Sequence, residues 1–255
     1  MADSLRVVVT AGGNGIGRTV AQRLRERGDQ VFICDVNDET VAQAVEAEGL
    51  AGGCAADVTD ESQVDQLFAQ ALDRLGGIDI LVNTAGIGGP TGPLEDLSLD
   101  AWKACISVTL DGTFLCSRKA IPLMKAQKSG SIVNFSSTAG LYGYPNRTPY
   151  AAAKWGVIGL TKSMAMELGS SNVRVNVICP GAVSGDRMDR VIAADARATG
   201  RSEEEIRASY TAGTSLKSFV SADDLAEMIL FITSPAGKMI SGQALTVDGH
   251  TESIN

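Results

Sequence analysis

Five short runs of apolar, mostly β-branched residues recur along this chain with helical patterns between them, and that alternation limits its fold more than any other feature. The runs are LRVVVT (5–10), QVFICD (30–35), IDILVN (78–83), GSIVNF (130–135) and VRVNVI (173–178). A strand with one face in water alternates polar and apolar residues, whereas a nearly continuous apolar run suits a strand covered on both faces, as in a parallel sheet. Between the first two runs Ile16, Val20, Ala21 and Leu24 recur at helical spacing, and Gly28 stands just past the helix end. Helical patterns also cover 61–75, 98–125, 150–169 and 222–233, while GCAADV (53–58) and QALTVDG (243–249) read as two further strands. The expected class is α/β, a doubly wound parallel sheet of about seven strands with helices on both faces.

A chain of 255 residues can bury roughly three quarters of the surface its unfolded form exposes, enough for one sizeable core. Residues 1–255 therefore read as a single domain. Only the polar stretch 182–217 breaks the alternation, and it reads as a flexible lid inserted over a ligand crevice. The net charge of −8, with no block of Lys or Arg, argues against a nucleic-acid partner. No apolar run reaches the roughly 18 residues needed to span a bilayer, and the start MADSLR lacks a basic region followed by an apolar one. The expectation is a cytoplasmic protein with no membrane partner. The five cysteines (Cys34, Cys54, Cys105, Cys116, Cys179) are scattered, as small core residues in a reducing compartment would be. A single histidine, His250, excludes a site built on several imidazoles, so zinc and Ser-His-Asp chemistry are poor candidates.

Between the first strand and first helix lies TAGGNGIG (10–17). Glycines there let backbone N–H groups and the positive helix end face a pyrophosphate; a plain strand-to-helix turn is the alternative. Asp35 ends the second strand, 18 residues beyond Gly17. A carboxylate there accepts hydrogen bonds from the adenosine ribose hydroxyls and repels a 2′-phosphate, favouring NAD over NADP; otherwise it is a solvated loop acid.

SSTAGLYGYPNRTPYAAAKWG (136–156) carries the chemistry. Tyr150 and Lys154 stand four apart at the start of a helical pattern and so share a face, and Ser136 and Ser137 end the preceding strand. An ammonium about 4 Å from a phenol, at an effective dielectric near 20, contributes roughly 4 kcal/mol. That would bring a phenol pKa from about 10 to near 7, suited to moving a proton to or from an alcohol.

TAGGNGIG, NTAG (83–86), a serine 13 residues before the tyrosine of YAAAK, and CPG (179–181), in this order, resemble the short-chain dehydrogenase/reductase family in its compact single-domain Rossmann form. The resemblance spans essentially the whole chain. It implies Tyr150 as acid/base, Lys154 as its pKa-lowering partner and holder of the nicotinamide ribose, and Ser137 as hydrogen-bond partner of the reacting oxygen; Ser136 is the structural serine. It further implies a dinucleotide held by Gly12, Asn14, Gly15, Ile16 and Gly17, by Asp35, by Asp57 and Val58 at the adenine, and by Asn83, Ala85 and Gly86. Tyr150, Lys154, Pro180, Gly181, Val183 and Ser184 complete the cofactor set on the nicotinamide side, with no metal. A homotetramer is the assembly it implies, and the small residues Ala151 to Ala153, Gly156 and Gly159 fit helices in close approach.

Four positions depart from the family pattern. Ala11 replaces the first glycine and is expected to keep a negative φ. Thr84 replaces an asparagine, and Thr109 stands where an asparagine bends a helix to hold a water beside the lysine. Gly185 replaces a threonine that contacts the carboxamide, leaving Ser184 as its substitute. Arg147, Arg187, Arg190 and Arg201 border the expected substrate crevice, as solvated charges or as a clamp for an acidic group. Tyr142, Tyr144 and Trp155 pose a similar choice between packing and an aromatic wall, with packing expected of Trp155. The reading is an NAD-dependent oxidoreductase interconverting a secondary alcohol and a ketone, its partner a small-molecule alcohol or ketone. A 3-oxoacyl-(carrier protein or CoA) reductase and a cofactor-sensing NAD-binding protein with little turnover are the alternatives.

Overall fold

The computed structural model describes residues 4–251, apart from the side chains of Ala194 and Ala198. Strands β1 (Arg6–Thr10), β2 (Gln30–Asp35), β3 (Gly52–Ala55), β4 (Ile80–Asn83), β5 (Gly130–Phe135), β6 (Val173–Pro180) and β7 (Ala244–Val247) form one sheet in the order β3-β2-β1-β4-β5-β6-β7. Every pairing is parallel, with Val9 opposite Ile33 on one side and Val82 on the other. Val7, Val8 and Val9 are fully buried, which is why the central strands carry no polar alternation.

Helices cover both faces. One face holds α1 (Gly15–Glu26), α2 (Asp38–Glu48) and α9 (Ala222–Thr233), which bury Val20, Leu24, Val41, Leu225 and Ile229 against Val7, Ile33 and Ile80. The other holds α3 (Glu61–Leu75), α5 (Gly112–Gln127) and α6 (Thr148–Leu168), which bury Leu67, Phe68, Ala120, Met124 and Met164 against Val8, Leu81 and Ile132. The helical pattern at 98–125 is not one regular helix. It divides into α4 (Leu99–Ile106), a π-helical segment (Ser107–Asp111) and α5.

The sheet order reverses between β1 and β4, so their carboxyl ends splay the following loops apart and open a crevice there. The segment 182–217 contains α7 (Asp186–Thr199) and α8 (Glu203–Ala212), which pack on each other through Ile192, Ala196 and Ile206. All five cysteines are buried and unbridged. No helix among the described residues is long and apolar enough to cross a membrane.

Candidate active site

At the end of β1 the Gly12 N–H still donates to the Cys34 carbonyl of β2, at 2.8 Å, so the chain must reverse immediately around it. The reversal places Ala11 at φ 49°, in the left-handed region, contrary to the negative φ expected of a residue bearing a methyl group. The glycines have different reasons to be glycine. A Cβ on Gly12 would stand 2.7 Å from Ile33, and one on Gly17 2.1 Å from the Ala11 carbonyl oxygen. Gly15 has φ 52° and faces open space. Asn14 caps α1 by accepting from the Gly15 N–H at 2.8 Å. No acidic side chain occupies the first turn of α1, so its free N–H groups, Ile16 included, keep their positive field. This loop fits a pyrophosphate on its backbone, its open glycine and its un-neutralised helix end.

Asp35 lies at the lip of that loop. Its carboxylate accepts from the Gly13 N–H at 3.2 Å and from the Val36 N–H at 2.8 Å, which fixes it beside the glycines. Asp57 accepts from the Thr59 N–H and hydroxyl, at 2.9 and 2.8 Å, and closes the turn after β3. Val58 is buried against Gly112, so any ligand contact it makes runs through its backbone.

Asn83 starts a buried polar chain. Its amide donates to Ser117 Oγ at 3.1 Å and Asn134 Oδ1 at 2.9 Å, and Asn134 donates to Thr161 Oγ1 at 2.8 Å, joining β4, β5 and α6. Thr84 turns its hydroxyl onto the Thr10 carbonyl, while its N–H and that of Ala85 donate to Thr10 Oγ1. A Cβ on Gly86 would stand 3.4 Å from Lys154 Nζ and 3.6 Å from Thr109 Oγ1, which locates all three together. Thr109 is buried inside the π-helical segment, and its carbonyl accepts from Thr113 Oγ1 at 2.9 Å. The helix thus widens at the position where the family pattern bends it.

On the other side, Pro180 ends β6 and Gly181 donates to the Val247 carbonyl at 3.1 Å. Val183 pairs with Val220, and Ser184 donates both its N–H and its hydroxyl to the Val220 carbonyl, at 2.8 and 3.2 Å. The Ser184 hydroxyl thus shares the Val220 carbonyl with its own N–H.

Ser137, Tyr150 and Lys154 do come together. Ser137 opens the turn Thr138–Gly140, accepts from the Ala139 N–H at 3.2 Å and lies close enough to the Tyr150 phenol to pull its pKa down. Pro149 begins the α6 turn that carries Tyr150. Lys154 is buried, with Nζ 5.6 Å from the Tyr150 ring centroid and donating to the Phe135 carbonyl at 2.8 Å. Ser136 donates to the Lys154 carbonyl at 2.8 Å, as a structural serine should.

The electrostatics differ from the expectation of a phenol lowered by lysine. Burial pushes the Tyr150 pKa up, and the groups pulling it down are Ser137, Arg187 and Arg147. Burial pushes Lys154 down to about 7, with Arg187 adding to the effect. The physical reason is that Nζ is enclosed away from water beside another cation, which disfavours its charged form even though it donates to a backbone carbonyl.

The aromatic residues divide. Tyr144 meets Tyr150 edge-on, with centroids 6.4 Å apart. Tyr142 reaches the Thr251 carbonyl at 3.3 Å. Trp155, expected to be packed, is 53% exposed and donates to the Tyr142 carbonyl at 3.4 Å; its face of α6 points away from the sheet. Of the four arginines, Arg147 and Arg187 act on Tyr150, Arg201 binds the Glu205 carbonyl within its own segment, and Arg190 is exposed on α7.

The family model described as enoyl-(acyl carrier protein) reductase matches residues 10–250. The chain belongs to the short-chain dehydrogenase/reductase family. Its relatives in this family include a 3-oxoacyl-[acyl-carrier-protein] reductase of Thermotoga maritima, 34% identical over 95% of each chain. A cis-4-hydroxycyclohexanecarboxylate dehydrogenase of Sinomonas cyclohexanicum is 37% identical over 95% of this chain and 94% of that one. The crystal structure of a variant actinorhodin polyketide ketoreductase with NADPH superposes with a TM-score of 0.92 at 30% identity, over 98% of this chain and 97% of that one. As a member of the short-chain dehydrogenase/reductase family, the protein is an oxidoreductase that uses a nicotinamide cofactor.

Proposed function

We propose that this protein is an NAD-dependent dehydrogenase interconverting a secondary alcohol and a ketone, with Tyr150 as acid/base. The observation that carries the reading is a phenol one helical turn from a buried lysine amine that is docked on the Phe135 carbonyl, with Ser137 close enough to pull the phenol pKa down. Gly12, Asn14, Gly15, Ile16 and Gly17 hold the pyrophosphate, Asp35 the adenosine ribose, and Asp57 and Val58 the adenine. Asn83, Ala85 and Gly86 line the central strand, and Pro180, Gly181, Val183 and Ser184 flank the nicotinamide. The bound nicotinamide supplies the hydride acceptor or donor.

The rest falls to the chain. Ser137 orients the substrate oxygen beside the phenol. Burial keeps Tyr150 protonated, ready to donate to a ketone oxygen, and Lys154, with a pKa of about 7, exchanges a proton with its surroundings at neutral pH. The helices of 182–217 cover the substrate side as a lid, supported by their separate small core. Exposed Phe114, Trp155 and Met166 on α5 and α6 support a homotetramer.

The 3-oxoacyl relatives favour a second reading, a ketoacyl reductase. Asp35 weighs against its NADPH-linked form, because a carboxylate fixed beside the loop repels a 2′-phosphate. NAD reduction over a panel of secondary alcohols, with NADH oxidation on ketones and 3-oxoacyl thioesters, separates the two. Tyr150→Phe should lower kcat by about 10² to 10⁴, far more than it weakens NADH binding, read by fluorescence. Near-normal turnover of that variant overturns the acid/base role, and equal rates with NADP overturn the role of Asp35.

A further inference from the structure

We propose that Arg147 and Arg187 form an anion clamp beside Tyr150, and that the substrate is accordingly a hydroxy acid, or its keto acid, bearing a carboxylate or sulfonate. This rests on the reading of Tyr150 as acid/base and names the substrate class of that site.

The two guanidinium groups come from separate elements and meet. Arg147 immediately precedes α6, and Arg187 lies in the first turn of α7. Both Nη2 atoms crowd one point, the place where a Cβ on Gly88 would stand, at 2.5 Å from Arg147 and 3.3 Å from Arg187. Arg147 also lies 5.7 Å from the ring centroids of both Tyr144 and Tyr150. The cluster is therefore a wall of the crevice in which the phenol acts.

Helix stability does not account for either arginine. A cation at a helix N-terminus opposes the macrodipole, and the Arg147 side chain makes no capping bond. Ion pairing does not account for them either. Arg6, Arg18, Arg27 and Arg207 each hold a carboxylate. Among the described residues Arg147 and Arg187 hold none, although the chain has 30 acidic residues to 22 Lys and Arg. Arg147 donates to the Gly88 carbonyl at 2.9 Å, and its Nε is enclosed with no partner among the described residues. Two guanidinium groups that no carboxylate holds, brought to one place, repel each other and attract an anion. The fork geometry of arginine matches the planar oxygens of a carboxylate or the threefold oxygens of a sulfonate. Because the pair flanks Tyr150, the anionic group lies only a few bonds from the carbinol carbon.

The cofactor pyrophosphate offers the same chemistry, and the test separates it from a substrate acid. In the full chain with NAD, kcat/KM is measured for 3-hydroxybutanoate and its methyl ester, and for 2-hydroxypropanesulfonate and 2-butanol. The charged member of each pair should be preferred, and Arg147→Gln or Arg187→Gln should cut that preference by at least about tenfold, with partial rescue by Arg187→Lys. Equal preference for acid and ester in the unmodified protein, or equal losses on both in the variants, overturns the clamp. A change confined to NADH affinity overturns it as well, by assigning the pair to the cofactor phosphates. If no alcohol or ketone turns over, the proposed activity falls, and calorimetric titration of the protein–NAD complex with unreactive butanoate still decides the clamp. Binding that both Gln variants abolish supports it; no binding, or binding they leave intact, overturns it.

Discussion

Ala11 is the residue where backbone and side chain disagree. With φ 49° an L-residue carries roughly 1 kcal/mol or more of strain, which glycine in the same place does not. Glycine in turn costs more backbone entropy, so Ala11→Gly should raise stability by up to about 1 kcal/mol. The measurement is a urea midpoint, and a lower midpoint would show that the methyl group packs better than the turn is strained. NAD affinity should change by less than tenfold, about 1.4 kcal/mol, because Gly15 faces the open space and Gly12 and Gly17 make the close contacts. Spacing alone could not disclose this. The sign of φ at residue 11 is fixed by a hydrogen bond from residue 12 to the neighbouring strand, which no local pattern records.

The unit in which the glycine loop works is the β1–α1 pair, and Gly17 sets how closely helix and strand approach. A methyl group there meets the Ala11 carbonyl at 2.1 Å and Thr84 Oγ1 at 2.8 Å, both tied to β1. Gly17→Ala should therefore destabilise the chain by roughly 1–3 kcal/mol, seen as a lower denaturation midpoint, and weaken NADH binding as α1 tilts away. An unchanged midpoint would show that the helix shifts without cost. Elements of this kind were legible where the strand interior is buried on both faces: the runs at 30–35 and 130–135 are β2 and β5 to the residue. Elsewhere local chemistry moved the ends. The run at 53–58 stops as a strand at Ala55, because Asp57 bonds to Thr59 and turns the chain. Helix α2 has little helical period in the sequence, because its buried face is only Val41 and Ala44; its signals are Asn37 as N-cap and Gly49, at φ 61°, as C-cap. The π-helical segment at Ser107–Asp111 has no period of its own to detect. Ser137, Tyr150 and Lys154 were legible through their spacing, but Arg147 and Arg187 stand 40 residues apart at the starts of two separate helices, and their meeting depends on the fold.

The whole fold is what sets the charge state of the site, and that is why the expected lowering of the phenol failed. Simple pairing of Tyr150 with Lys154 treats the lysine as a full charge, yet the sheet, α6 and the loops after β4 enclose it, and its pKa falls from 10.5 to about 7. The same enclosure has a consequence for global stability. Between those two values the unfolded chain binds the lysine proton and the folded chain has released it, so the unfolded state binds more protons and stability must rise with pH. The gain from pH 7 to pH 9 should be about 2 kcal/mol. Cysteines such as Cys116, pushed up to about 12 by burial, act in the opposite direction as pH passes their unfolded pKa, so the comparison needs a reference that keeps them. Lys154→Met provides it: the difference in urea-derived stability between the two proteins should change by that amount over this window, in favour of the lysine form at the higher pH. A difference independent of pH would mean that Lys154 remains fully charged inside the folded protein, and the original picture of an ammonium pulling down the phenol would then stand.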